Sequence, residues 1–408
     1  MRPGWMPTAA PGSRRTTAVG TALAAGSLVL ATATATAAGA ATESGPLTSG
    51  VAAKACSAPA RGAVGGANVE IDAIAAGPSC SALAAGTNSS GATVMFAWNG
   101  SAWRHMTTFS GGNGGDLYAV TAPSAAATWA VGEYVDSTVS DQTLIERDTS
   151  KGWITYASPD PAGTAANNDL YGVAASGGSA WAVGTAQTAS ASGSVVLILG
   201  WNGSRWVVAR APKLARDQSS ALFSVAAASS TSAWAVGTAT SGSVARPLIE
   251  RYLHGGWSVV ASPSVSGELE SVTVVSAKNA WAVGFRAAGG TDTTLIEHWN
   301  GSKWSVVSSP NVRRVDASTA NDQLRGVAAI SAGNAYAVGV AAPAHSAVEQ
   351  TLILHWNGHS WARVSSPDPA GTSGINDLQG AAAGGGGCWM AGTYLTSKGA
   401  AHSFALHR

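Results

Sequence analysis

NAWAVGFRAAGGTDTTLIEHWNGSKWSVVSSP, running from Asn279 to Pro310, decides how this chain folds. Apolar and polar residues alternate in AWAVG and again in TLIEHW and KWSVVSS, which is the period of half-buried strands. Asn300-Gly301 stands between the last two runs and predicts a tight hairpin turn with both residues at positive φ. The same order recurs along the chain. AWAVG or a variant of it ends at Gly86, Gly132, Gly184, Gly237, Gly284, Gly339 and Gly392, at spacings of 46, 52, 53, 47, 55 and 53 residues. The hairpin carries aromatic pairs, Trp98/Trp103, Trp201/Trp206, Trp299/Trp304 and Trp356/Trp361, with Asp148/Trp153 and Tyr252/Trp257 as degenerate forms. A further short strand precedes each AWAVG, as in LYGVAA (Leu170 to Ala175) and LRGVAA (Leu324 to Ala329).

Four strands in about 50 residues, repeated seven times, predict an all-β fold, a seven-bladed β-propeller of four-stranded blades. The seventh copy stops at SFALHR, Ser403 to Arg408, which matches TLIEHW, so its fourth strand has to come from elsewhere. AKACSAP, Ala53 to Pro59, fits the frame of WSVVSSP and is expected to close the last blade as an N-terminal strand. Such closure removes the free sheet edges of an open array. The propeller is thus expected over residues 51–408.

The AVG strand, the apolar strand after it and the W(N/D)GxxW turn together resemble propellers of the kelch and galactose-oxidase-like superfamily. They are also similar to photosystem II assembly-factor and Asp-box propellers, although Asp148 lacks the Ser two residues earlier that an Asp-box needs. The resemblance covers nearly the whole chain beyond its first forty residues. It implies a fold and not an activity, because one propeller scaffold hosts many functions.

Those first forty residues contain no Asp or Glu, show SRRTT at Ser13 to Thr17 and continue into an Ala/Leu/Val-rich stretch followed by small residues. This layout predicts an export signal over residues 1–40, of twin-arginine or Sec type, and hence a secreted, extracellular protein of bacterial origin. Residues 41–50 are expected to be a disordered lead-in. Arg2, Arg14 and Arg15 are the only charges of the signal, so the remainder carries 20 basic against 22 acidic residues. That balance excludes a nucleic-acid footprint. Only 11% of all residues are charged, and the apolar runs beyond the signal are too short to span a bilayer. A monomer is expected.

Catalytic sets are thin. A sialidase-like propeller would need an arginine cluster with a Tyr/Glu pair, yet Arg104, Arg147, Arg205, Arg251, Arg325 and Arg363 do not share one repeat position. His254, His298 and His355 sit singly in hairpins, which does not fit a copper site of the galactose-oxidase type. The expected function is therefore a non-enzymatic binding module that recognises a glycan or a protein through its loops; the alternative is a polysaccharide hydrolase or lyase. The aromatic of AWAVG (Trp129, Trp181, Trp234, Trp281, Tyr336, Trp389) is expected to pack between blades rather than to bind sugar.

Two polar features remain. Cys80 and Cys388 fall at the start of the second strand in copies one and seven, neighbours in a closed ring, so a Cys80 to Cys388 disulfide is expected, with Cys56 free. Fifteen or sixteen residues before the AWAVG glycines stand Glu70, Asp116, Asp169, Ala221, Glu268, Gln323 and Asp377. Five carboxylates around one channel mouth would either hold a cation, most simply Ca²⁺, or cap the turn into each first strand.

Overall fold

The computed structural model describes residues 61–109, 111–187, 193–214, 218–288, 291–312, 321–342, 348–371, 374–396 and 399–408. The expected export signal, the lead-in and the AKACSAP strand lie outside the described residues. Among the described residues the chain is all-β apart from two single 3-10 turns, and no helix is long and apolar enough to cross a membrane. Each sequence repeat folds as an antiparallel run of four strands, as repeat three does with Asn168–Ser176, Ser179–Gln187, Ser194–Trp201 and Trp206–Val208. Five sheets have four strands, and a sixth joins repeats five and six through one parallel pairing, Asp292 with Asn321. This is β-propeller architecture.

The first strands of the repeats are Val69–Ala76, Gly115–Thr121, Asn168–Ser176, Gln218–Ser229, Gly267–Ser276, Asn321–Ser331 and Ile375–Gly384. They touch one another in sequence order, and Ile375–Gly384 touches Val69–Ala76. The strand that completes repeat seven is Arg61–Ala67, which pairs with Ala401–His407. It lies downstream of the stretch that the Trp frame singles out. Its sequence, RGAVGGA, buries only Val64, so it offers no periodic signal.

A backbone irregularity repeats with the sequence. In every first strand the register slips by one residue after the core Leu or Ile: Leu170 faces Gly184, Gly172 faces Val183, and Tyr171 faces nothing. The same bulge follows Ile71, Leu117, Leu222, Leu269, Leu324 and Leu378. It explains the glycine of AWAVG. A Cβ on Gly284 would stand 2.0 Å from the carbonyl oxygen of Glu268, and one on Gly184 1.9 Å from that of Asp169. No side chain fits so close an approach of two backbones.

The hairpin differs from the expected two-residue turn. Trp299 pairs directly with Trp304, leaving a four-residue loop in which Gly301 has a φ of 97° while Asn300 does not take a positive φ. Asn300 instead accepts the backbone N–H groups of Ser302 and Lys303 at 3.0 Å each through Oδ1, an Asx turn.

Aromatic packing joins the repeats. Trp234 of repeat four lies 4.8 Å from Trp299 and 5.2 Å from Trp304 of repeat five, and Trp281 makes the equivalent contacts with Trp356 and Trp361. Trp389 of repeat seven lies 5.7 Å from Trp98 of repeat one, within a cluster that also holds Val69, Ile71 and Ala405. The AWAVG tryptophans are buried, while Tyr336 is half-buried. Each hydrophobic cluster therefore draws on two neighbouring repeats, which is how thin four-stranded sheets obtain a core.

Candidate functional site

Glu70, Asp116, Asp169, Glu268 and Asp377 all occupy the same register position on their first strands, one residue before the core Leu or Ile. Among the described residues no group of three or more His, Cys, Asp or Glu side chains is arranged to hold a metal ion. The carboxylates engage neighbours instead. Asp377 pairs with Arg325 and accepts from Gln379 Nε2 at 2.6 Å, and Asp169 is hydrogen-bonded by Tyr171. The capping role falls one residue earlier. Buried Asn168 accepts the Ala162 N–H at 3.0 Å and donates to the carbonyls of Gly163 and Ala166, and Asn376 repeats the arrangement with Ala370, Gly371 and Gly374.

The bulged residues are what the sequence reading missed. They are Asp72, Tyr118, Tyr171, Phe223, Glu270, Arg325 and Gln379, and a bulge re-aims the side chain it carries. Tyr118, Tyr171 and Phe223 form an arc across three first strands, with ring centroids 5.6 and 6.0 Å apart. Beside this arc Glu133 is pushed up to about 8, first by burial and then by the charges of Asp141 and Asp169. Asp169 rises to about 7 through burial and Asp141. On the other side Glu70 rises to about 6 through burial, then Asp72 and Asp377. The signal was available: Leu170 and Val173 are both core although three residues apart, a spacing that regular alternation forbids.

The expected Cys80 to Cys388 bridge is not formed. Cys388 is a free, fully buried thiol, and Cys80 is disulfide-bonded to a residue outside the described ones; Cys56 also lies outside them. Alternation gives the reason. Trp389 faces repeat one, so Cys388 beside it faces the opposite way and packs with Val338 and Ile353 of repeat six. Burial pushes its thiol up to about 12. Since the thiolate is the nucleophile, Cys388 is expected to stay unlabelled by a maleimide in the native protein and to react fully in denaturant. Rapid native labelling would contradict the burial.

A second place breaks the repeat. Across the sheet from five of the six AWAVG aromatics stands a side chain that covers the ring: Arg147 over Trp129 and Arg251 over Trp234, both at 4.8 Å, His298 against Trp281 at 4.2 Å, His355 stacked on Tyr336 at 4.6 Å and His407 against Trp389 at 4.8 Å. Opposite Trp181 the residue is Gly200. Its φ is not in the left-handed region and a Cβ there would meet nothing within 4 Å, so the backbone does not demand glycine. At this point a cleft of about 760 Å³ opens between repeats three and four. Trp181, Trp201, Tyr252 and Trp257 line it, with Ser179, Asn202, Arg210 and Lys213 as its polar side chains.

The loop that walls this cleft also lacks an anchor found elsewhere. Third-strand Glu146 accepts the Phe109 N–H at 2.7 Å, and Glu297 accepts the Ser262 hydroxyl at 2.9 Å, in each case from the segment after the preceding repeat's fourth strand. In repeat four the acceptor is Glu250, fully buried, and the corresponding segment offers Ala211 and Pro212, which have neither a hydroxyl nor, for Pro212, an N–H. Neither Glu250 oxygen has a hydrogen-bond partner. Burial pushes its carboxyl up to about 7.

No known protein family matches this sequence, and no curated protein matches it either. Solved structures are similar in fold. A polysaccharide lyase, a PL25 ulvan lyase, shares 8% identity over 80% of this chain and 91% of its own, with a TM-score of 0.50. YCF48 from Cyanidioschyzon merolae shares 14% identity over 85% and 99%, with a TM-score of 0.47. The fucose-recognising Aleuria aurantia lectin, a six-bladed propeller, shares 11% over 69% and 88%, with a TM-score of 0.42. At these identities the likeness is one of fold alone, and a kelch or galactose-oxidase-like membership does not follow from it.

Proposed function

We propose that this chain is an exported, closed seven-bladed propeller that binds a glycan, without turning it over, in the cleft beside Gly200. The observation that carries the reading is Gly200, which stands opposite Trp181 where five other repeats place Arg or His, beside a cleft that the half-buried rings of Trp201 and Tyr252 line and whose volume suits a small ligand. Indole and phenol rings stack on the apolar faces of sugar rings, and Asn202 supplies an amide that can both donate to and accept from hydroxyls. The cyclic contacts of the first strands, and the pairing of Arg61–Ala67 with the last repeat, support seven blades in a ring; Asp292 with Asn321 is then a contact between two adjacent blades. A glycan array with the purified protein tests the binding. Gly200→His restores the cover that His298 gives Trp281, and is expected to abolish binding while leaving the melting temperature within about 1 °C. Undiminished binding by Gly200→His would overturn the site.

The second reading, a polysaccharide hydrolase or lyase, has one observation in its favour: Glu133 holds a proton near neutral pH beside Tyr118, whose hydroxyl reaches it at 3.5 Å. Turnover of a polysaccharide that disappears in Glu133→Gln would replace the binding reading by this one.

A further inference from the structure

The cleft beside Gly200 is lined by two cations, Arg210 and Lys213, both exposed, and by no Asp or Glu. The chain beyond its predicted signal carries more acidic than basic residues, so this pairing is local rather than a property of the surface. Both cations stand on the lining segment Ala209–Lys213 that follows the fourth strand of repeat three, while Tyr252, Gly255, Gly256 and Trp257 come from repeat four. A ligand ring that lies on the aromatic side chains therefore shares the cleft with guanidinium and ammonium groups.

We infer that the ligand of this cleft is an anionic saccharide, a sugar whose ring stacks on the aromatic side chains while a carboxylate or sulfate group faces Arg210 and Lys213. The inference rests on the glycan reading and narrows it to a charge class. Arg210 offers a planar fork that fits either oxyanion in two parallel hydrogen bonds, and Lys213 adds a mobile point charge. The segment that bears them lacks one tie found elsewhere: Glu250 receives no hydrogen bond from Ala211 or Pro212, where Glu146 and Glu297 hold the equivalent segments. Aromatic faces supply the contact area and the cations select the ligand; neither set alone distinguishes an acidic sugar from a neutral one.

The test is titration calorimetry of the purified protein with three oligosaccharides of equal length: an oligogalacturonate, a sulfated galactan and the unsubstituted galactan. The two charged probes separate carboxylate from sulfate as the preferred anion. At least one of them is expected to bind about tenfold or more tightly than the neutral galactan, and to weaken as salt rises from 50 to 300 mM. In the double variant Arg210→Gln, Lys213→Gln that advantage is expected to vanish, with the weaker stacking affinity kept. Equal affinity for charged and neutral probes, or an advantage that survives in the double variant, overturns the charge class and leaves the glycan reading standing. Absence of binding to all three, together with a blank array, overturns both.

Discussion

Replacing Trp281 with alanine is expected to cost about 3–5 kcal/mol of folding stability, the range for deleting a fully buried large aromatic. Trp281 is 1% exposed and touches His298 at 4.2 Å, Trp356 at 4.9 Å and Trp361 at 5.3 Å. Its removal leaves a cavity in the cluster that repeats five and six share, where it packs with Ile296, Leu324, Leu352, Leu354 and Trp361. Urea unfolding followed by tryptophan fluorescence measures the loss as a fall in midpoint. Val306→Ala, at a 40% exposed position on the fourth strand of the same repeat, serves as the control and is expected to change stability by less than about 0.5 kcal/mol. A loss below about 1 kcal/mol for Trp281→Ala would mean that the repeated aromatic does not hold the repeats together.

Thermal stability is expected to fall as pH rises from 5 to 8. Glu133 is raised to about 8; Glu146, Asp169, Glu250 and Glu297 to about 7; and Glu70 to about 6, with burial as the leading cause in every case. Each folded value lies above the ordinary carboxylate value, so the folded state binds these protons more tightly than the unfolded chain. The stability they contribute is complete below about pH 4 and is lost as the pH climbs through 6 to 8. Glu250 isolates the effect. Leu199, Leu354 and Leu406 occupy its position in other repeats and are buried there, so Glu250→Leu fits the fold. It relieves an unpartnered buried carboxylate, a penalty on the order of 1–3 kcal/mol. The variant is expected to melt higher than the wild type at pH 8 and to approach it at pH 5. Calorimetric melting across that range decides the matter: a wild type that gains stability toward pH 8 contradicts the burial of these groups.

Much of this architecture can be read from residue spacing. AWAVG with its fixed period, the Trp pairs and the Asn-Gly loops announced four-stranded repeats, and the tryptophans pack between repeats as their spacing implied. The fourth strand of the last repeat could not be found this way. A strand such as Arg61–Ala67 that packs through one valine leaves no periodic trace. Cysteine pairing was misread because strand position alone ignores which face a side chain takes, and Trp389 fixes the face of Cys388. The bulge escaped for a subtler reason. A missing pairing is a backbone event, and its only marks are the three-residue gap between Leu170 and Val173 and a glycine whose need arises on the neighbouring strand. The cleft beside Gly200 was invisible until the cross-strand register showed what the other repeats place there.

The pairing of Arg61–Ala67 with Ala401–His407 also sets an order of events during synthesis. Every other repeat completes its four strands within about fifty residues of chain, so each can form as soon as it emerges. The last sheet cannot. Its outer strand is made first and its partner last, and bringing such distant segments together carries an entropic cost that local hairpins avoid. Until residue 401 is available, Arg61–Ala67 waits without its partner and the third strand of repeat seven does not exist. Synthesis of residues 401–407 therefore gives Arg61–Ala67 its partner, and completion of this sheet is timed by its later segment rather than by its earlier one.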